Sequence, residues 1–314
     1  MKPKAVVDVG TNSIKLLIAG MCDGELDVLT DRMEITRMGE GLSKAGKISP
    51  EAFERSLRTI EGMCGDARDA GAERVSIVGT EGLRRAGNAD LFARRVQEVC
   101  GSRLHVISGT EEADLSYRAA KGVIRQPVSK DEKLCLFDIG GGSSELVVGD
   151  MARVLSRCSL PIGALVLHDR CFANNDVPVG KPLLDEAFVV VRTAFEKKMP
   201  FADLPDRNRL VGIGVGGTVT TMGAVMLGLS DYDASRVDGC TLARDEVERQ
   251  IALYASMSPV QRREIVGLPL ERADIILAGA CILRVSMDYC NVESIAVSDR
   301  GLRYGVMERL FERS

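Results

Sequence analysis

The sequence predicts an α/β protein of two domains, each built on a mixed sheet with helices packed against it. Three observations carry this expectation. The chain has 314 residues, 45% of them hydrophobic, a length that two domains fit better than one. Two segments, AVVDVGTNSIKLLIAG at 5–20 and LFDIGGGSSELVVGD at 136–150, superpose at a constant offset of 130 residues. That offset lays Asp8 on Asp138, Gly10 on Gly140, Ser13 on Ser143 and Leu16 on Leu146, and internal repeats decide architecture before single elements do. Elsewhere, short apolar runs alternate with segments of helical period, as layers of sheet and helix require.

Each copy of the repeat is an apolar run, a Gly/Ser turn and a second apolar run, which reads as two strands joined by a tight glycine turn. The first copy continues through Asp23-Gly24 into a third strand, LDVLT. Ser49-Pro50-Glu51 starts a helix with an N-cap, a proline at the first helical position and an acid in the first turn. Phe53, Leu57, Ile60, Cys64 and Ala67 keep helical spacing from there to Gly71. Strands in RVSIVGT and RLHVIS each lead to a helix, at 90–100 and 111–124. The polar stretch 125–133 is the expected linker. In the second half Leu184, Phe188, Val191 and Phe195 form one helical stripe. A strand at 209–213 precedes GVGGT and an apolar helix to Leu229. Helices at 245–257 and 270–289, the strand ESIAVS and a last helix at 302–313 complete the chain. Residues 160–182 receive no assignment.

The formal net charge of -4 gives no footing to a nucleic-acid partner, so a polyanionic ligand must be gripped by a local site. Arg84-Arg85 and Arg94-Arg95 are by default solvated helix faces. The 9 cysteines are scattered without a CxxC pair, beside only 2 histidines, which fits reduced thiols in a cytoplasm better than disulfides or zinc. No signal peptide is expected, since MKPKAVVDVG runs directly into a strand pattern. The most apolar helix, 275–283, lies between Asp274 and Arg284, far short of the ~20 residues of a membrane span. A soluble cytoplasmic protein without a membrane partner is expected.

Three loops are candidates to hold phosphate: Gly10-Thr11-Asn12-Ser13; Gly140, Gly141, Gly142, Ser143 and Ser144; and the GVGGT loop with Gly216, Gly217 and Thr218. Glycine lets successive N–H groups converge, and such a nest binds anionic oxygens; a plain structural hairpin is the competing reading. Two matching turns, each after a strand-borne Asp, favour the nest. Rival motifs fail on context. Gly41-x4-Gly46-Lys47 resembles a P-loop but has Ile48 where Ser or Thr must reach magnesium. Gly212-x-Gly214-x-x-Gly217 matches a dinucleotide fingerprint, yet Asp231 and Asp233 fall in a polar loop and no strand delivers the ribose-binding acid. GxSxG, HExxH and Cys/His pairings are absent.

Among the acids, Asp8 either braces its own turn or contributes to a metal. Asp138 has Glu145 seven positions later across the hairpin, so both can reach one hard cation together with phosphate oxygens. Ser108-x-x-Glu111 matches a capping box. Successive helical residues point about 100° apart, which leaves Glu112 facing elsewhere and able to enter a cleft.

The segments VDVGTNSIKLLI, TEGLRRA, VISGTEEA, LFDIGGGSSELVVG, GIGVGGT and VSDRGLRYGVM resemble, in order, the motif series of the exopolyphosphatase / guanosine pentaphosphate phosphohydrolase family. The resemblance runs from about residue 5 to 307. It implies an actin-like fold of duplicated ribonuclease-H-like domains with an interdomain cleft, one lobe at 1–125 plus 301–314 and the other at 126–300. It further implies Glu112 as catalytic base, Asp138 and Glu145 as metal- and water-handling carboxylates, and Gly140 to Ser143 as the phosphate loop. Asn12 and Ser13 match the opposing loop, and Arg84 a phosphate-contacting arginine. The implied cofactor is Mg2+ or Mn2+. The implied activity is release of the terminal phosphate of short polyphosphate or of guanosine pentaphosphate. Longer members carry C-terminal helical domains that help form a polyphosphate channel and a dimer interface. This chain ends at Ser314 without them, so short chains are the expected substrate, and a homodimer is expected by analogy. Tyr304 stands where an acid is common in the family. An actin-like kinase or ATPase, and a non-catalytic guanosine tetra- or pentaphosphate sensor, are the alternatives from other classes.

Overall fold

The computed structural model describes residues 2–126, 128–129, 131–173, 178–198 and 207–312, with Asn208 by its backbone alone. The chain divides into two compact units, Met1–Ala119 with Leu302–Ser314, and Ala120–Gly301.

The first unit contains β1 (Lys4–Val9), β2 (Ser13–Cys22), β3 (Glu25–Ile35), a one-turn helix α1 (Leu42–Ala45), α2 (Pro50–Asp69), β4 (Val75–Gly79), α3 (Glu81–Arg85), α4 (Ala89–Cys100), β5 (Leu104–Val106) and α5 (Gly109–Ala120). Its last helix, numbered α13 (Leu302–Glu312), comes from the end of the chain. The strand order is β3-β2-β1-β4-β5, with β1, β2 and β3 antiparallel and β4 and β5 parallel to β1. β1 is buried along its whole length because both faces of the sheet are covered. Val7, Val9, Ile14 and Leu16 pack with Phe53, Leu57 and Ile60 of α2 and with Phe92 of α4, where the Phe53 and Phe92 rings meet edge to face at 4.9 Å. Val6, Leu17 and Ala19 pack on the other face with Leu115 of α5 and Met307 and Leu310 of α13.

The second unit contains β6 (Lys133–Ile139), β7 (Ser144–Gly149), β8 (Val154–Leu160), α6 (Ala164–Cys171), α7 (Lys181–Lys198), β9 (Leu210–Val215), α8 (Gly217–Met226), α9 (Ala234–Val237), β10 (Thr241–Ala243), α10 (Arg244–Ala255), α11 (Pro259–Arg262), α12 (Ile276–Cys290) and β11 (Ser294–Val297). The order is β10-β11-β9-β6-β7-β8. With β10 set aside, β6, β7, β8, β9 and β11 repeat β1 to β5 in position and in direction. The duplicated, ribonuclease-H-like order of an actin-like fold is therefore present in both units.

The structure departs from the sequence reading in places. Residues 120–125, expected with the first lobe, go with the second unit. Helix α5 ends at Ala120, a 3-10 turn follows at Lys121–Val123, and Lys121 Nζ donates to the Met151 carbonyl at 2.7 Å. Gly301 likewise falls in the second unit. In the expected linker, Pro127 and Lys130 lie outside the described residues, as does Arg313 of the expected last helix. The helix expected from 270 begins only at Ile276, because Arg272 N and Ile275 N bond three residues back, to the Pro269 and Arg272 carbonyls, the 3-10 pattern. Strand β8 and helix α6 carry polar residues on a half-buried surface, which blurs the hydrophobic period that would mark them.

Candidate functional site

In the first unit, the chain leaves β1 after Asp8 and returns at Ser13, with Gly10 N donating to the Ser13 carbonyl at 3.0 Å. A Cβ at Gly10 would stand 2.8 Å from that oxygen. The carbonyls of Thr11 and Asn12 accept from Gly39 N at 2.8 Å and from Thr36 N and Arg37 N at 3.1 and 2.9 Å. With its carbonyls turned onto 36–39, the loop leaves the N–H groups of Thr11 and Asn12 without acceptors among the described residues. Asn12 is 5% exposed, and neither its Oδ1 nor its Nδ2 has a hydrogen-bond partner. An unmet buried polar group costs about 1–3 kcal/mol, which makes this amide a candidate contact for a polar ligand. Asp8 faces Lys15 across the β1–β2 ladder, with Lys15 Nζ 3.6 Å from its Oδ2. The carboxylate is thus held by an ammonium.

Helix α3 packs against this loop. Leu83 fills the space a Cβ would need at Gly79, and Gly82 lies against Thr11, whose Oγ1 is 3.1 Å from the position of a Cβ there. From α3, Arg84 donates Nε to Glu81 Oε2 at 2.9 Å, and Nη1 to both Glu112 Oε2 and the Ile107 carbonyl at 2.8 Å. Burial works to lower the Arg84 pKa, but the charges of Glu112 and Glu81 outweigh it and hold the value above the ordinary guanidinium range. Glu112, 8% exposed, sits in the first turn of α5 with its N–H on the Ser108 carbonyl at 2.9 Å. Half of the expected capping box is present. Ser108 Oγ accepts from Glu111 N at 3.1 Å, while the Glu111 carboxylate pairs instead with Arg309 of α13. Arg84 and Glu112, expected at one site, are in direct contact.

In the second unit the same hairpin turn recurs, with Gly140 N donating to the Ser143 carbonyl at 3.0 Å. The Gly140 and Gly141 carbonyls accept from Ala164 N and Leu165 N, at the start of α6, at 2.9 and 3.0 Å. A Cβ at Gly163 would lie 2.4 Å from the Gly141 carbonyl carbon, so glycine is what allows this approach. The N–H groups of Gly141, Gly142 and Ser143 donate to no described group, an arrangement that suits anionic oxygens. Asp138 and Glu145 are register partners on β6 and β7. Glu145 is 2% exposed and accepts from Ser159 Oγ at 2.7 Å, its neighbour on β8. The third loop closes on the same place. Gly216 has a φ of 90°, and its Cβ position is 3.0 Å from Asp138 Oδ1.

These carboxylates fit a magnesium ion. They are hard oxygen donors at facing positions, and magnesium is commonly held by one or two carboxylates plus phosphate oxygens and waters.

One expected residue behaves differently from the rest. The Thr218 side chain packs on α12, where a Cβ at Gly279 would be 2.4 Å from its Oγ1, so at the loop it offers its backbone. Arg272 was not singled out in the sequence. Its guanidinium lies over Gly217, with Nη2 2.2 Å from where a Cβ would stand, and burial pushes its pKa down to about 10. No motif links Arg272 to a glycine loop so distant in the chain. The rival motifs have structural explanations. Gly41 and Gly46 take left-handed caps at either end of α1. Cβ atoms at Gly212 and Gly214 would meet Val292, Ile295 and Val219, so those glycines serve packing of β9. Tyr304 donates to Asp31 Oδ2 at 2.8 Å, beside a bidentate Arg303–Asp31 pair.

The model of the Ppx/GppA phosphatase family matches residues 17–314. Exopolyphosphatase 2 of Mycobacterium tuberculosis is 31% identical over 321 residues, covering 96% of each chain. A guanosine-5'-triphosphate,3'-diphosphate pyrophosphatase from Photobacterium profundum is 29% identical over 98% of this chain and 59% of its own length. The solved structure of an exopolyphosphatase-like protein superposes with a TM-score of 0.88 at 27% identity, over 99% of both chains. That of the Aquifex aeolicus Ppx/GppA family member gives 0.80 at 26%, over 99% of this chain and 98% of its own. Repeated hairpin, paired glycine loops and near-complete match agree: the chain belongs to the Ppx/GppA phosphatase family, whose members are phosphoanhydride hydrolases.

Proposed function

We propose that this protein is an exopolyphosphatase that removes the terminal phosphate of short inorganic polyphosphate, with Mg2+ or Mn2+ as cofactor. The observation that carries the reading is the facing pair Asp138 and Glu145, set between the Gly140 to Ser143 loop and Gly216. The divalent ion supplies charge neutralisation at the terminal phosphoryl group, and Asp138 and Glu145 are the residues that hold it. The N–H groups of Gly141, Gly142 and Ser143 bind phosphoryl oxygens, with Arg272 and the Gly216–Gly217 backbone as further anion contacts. In the first unit, Asn12 and Ser13 bind phosphate, Arg84 offsets charge, and Glu112 orients and deprotonates the attacking water. Phosphoryl transfer depends mostly on positioning and charge stabilisation, which these groups provide without a protein nucleophile.

Full-length similarity to the Mycobacterium tuberculosis protein favours polyphosphate. Similarity to the Photobacterium profundum protein favours a second reading, guanosine pentaphosphate phosphohydrolase. Nine free thiols, seven of them buried, support a reducing cytoplasm, and no described helix is long and apolar enough to cross a membrane. The test is phosphate release with magnesium from short polyphosphate, long polyphosphate, guanosine pentaphosphate and ATP, with Glu112→Gln alongside. Loss of a general base lowers turnover by ~10² to 10⁴, so the variant is expected to fall on that scale while its circular dichroism is unchanged. Near-normal turnover by folded Glu112→Gln would falsify the assignment of the base. A preference for guanosine pentaphosphate replaces the first substrate by the second.

A further inference from the structure

The first-unit cluster contains a carboxylate that none of the roles above uses. Glu81, buried at 9% exposure, opens α3 immediately after the Thr80 N-cap. Thr80 is tied to the end of β1, its N–H donating to the Val9 carbonyl at 3.2 Å, so the start of α3 is anchored to the strand that carries Asp8. One turn later, Arg84 points its Nε edge back at Glu81, 2.9 Å from Oε2, and its Nη1 at Glu112 and the Ile107 carbonyl. Nη2 is also 2.9 Å from the same Glu81 oxygen, in an ion pair, and it is buried. The planar group is thus divided: its Nε and Nη2 side is held by Glu81, and its Nη1 is on the base.

We propose that Glu81 is a positioning residue, which fixes the Arg84 guanidinium by its Nε and Nη2 side so that Nη1 orients Glu112. This rests on the reading of Arg84 and Glu112 given above. A guanidinium has five donors in a rigid fork, so holding its Nε edge determines where the two Nη groups point. A flexible arginine with only Glu112 as partner would instead collapse onto that carboxylate as a bidentate pair, turning the base. Glu81 prevents this because it occupies the Nε side, three residues earlier on the same helix, where the i,i+3 spacing makes side chains neighbours.

The experiment compares Glu81→Ala and Glu81→Gln, where glutamine keeps an oxygen acceptor for Nε–H at nearly the same length. Steady-state kinetics on the protein's best phosphate-releasing substrate is measured beside the Arg84 Nε–H resonance in the substrate-free protein, assigned with Arg84→Lys. Misplacing a catalytic group by about 1 Å can cost on the order of a hundredfold. For Glu81→Ala, kcat is expected to fall about ten- to a hundredfold with KM within about twofold, and the Arg84 resonance to move. Glu81→Gln is expected to recover most of kcat and the resonance position. The proposal is overturned by an unchanged kcat in Glu81→Ala, by an unmoved resonance, or by Glu81→Gln as impaired as the alanine variant. If the wild type releases no phosphate, the reading of the site has failed instead, and the resonance alone still decides whether Glu81 holds Arg84.

Discussion

Lys15 and Glu145 occupy the same place in the two copies of one hairpin, facing Asp8 and Asp138 across the ladder. Opposite charges at facing positions stabilise a sheet and like charges oppose it; the first copy pairs an acid with an ammonium, and the second sets two carboxylates face to face, the pair proposed above to hold the ion. Asp138→Asn is expected to raise the magnesium concentration needed for half-maximal activity; an identical titration curve would remove Asp138 from the ion. Glu145→Lys, which gives the second hairpin the charge pattern of the first, is expected to abolish magnesium-dependent stabilisation in thermal melts while the protein stays folded. Raised melting with magnesium in that variant would contradict the metal role. The pair was legible because seven positions across a tight hairpin bring two residues face to face. Glu112 needed more: composition left it only pointing away from Glu111, and its role came from the family resemblance. Glu81 and Arg272 were not legible as site residues. The groups that mark them as site residues lie 31 and 55 residues away in the chain, at Glu112, which Arg84 links to Glu81, and at Gly217, and nothing in local spacing reports such links.

The glycine loops work as elements because something behind them takes their carbonyls. In the first unit residues 36–39 do so, and in the second the start of α6 does. The two backings differ in kind, which is why the repeat in sequence stops at the hairpin. Gly163→Ala places a Cβ within 2.4–2.6 Å of the backbone at Gly140 and Gly141. Overpacking typically costs 1–3 kcal/mol, so the urea midpoint is expected to fall and KM to rise, with kcat less affected. A variant with wild-type KM would show that the α6 contact does not shape the phosphate loop. Helix α2 was readable from Ser49-Pro50 because caps are local, and the Ser49 side chain does accept from Ala52 N at 3.2 Å. Strand β8 was not, since half-buried polar strands lack a clear apolar period.

At the scale of the whole molecule, the chain's end closes the chain's beginning. Lys4 Nζ donates to the Leu310 carbonyl at 3.0 Å, and Met307, fully buried, packs on the face of the first sheet that α2 and α4 leave open. Truncating a buried methionine to alanine costs about 2–5 kcal/mol, so Met307→Ala is expected to lower the urea midpoint of the transition reported by the first unit. An unchanged midpoint would mean that α13 contributes little to that core.

By itself the sequence determined the duplicated hairpins, the order of most strands and helices, the glycine loops and the facing acids Asp138 and Glu145, because period, turn chemistry and short cross-strand spacing are local properties. Tertiary structure alone decided which distant groups meet: Arg84 on Glu112, Arg272 over Gly217, Ser159 on Glu145. Each of these depends on packing or strand register beyond the local motif, and a side chain's partner at that range is set by how the elements fold together, not by its neighbours in the chain.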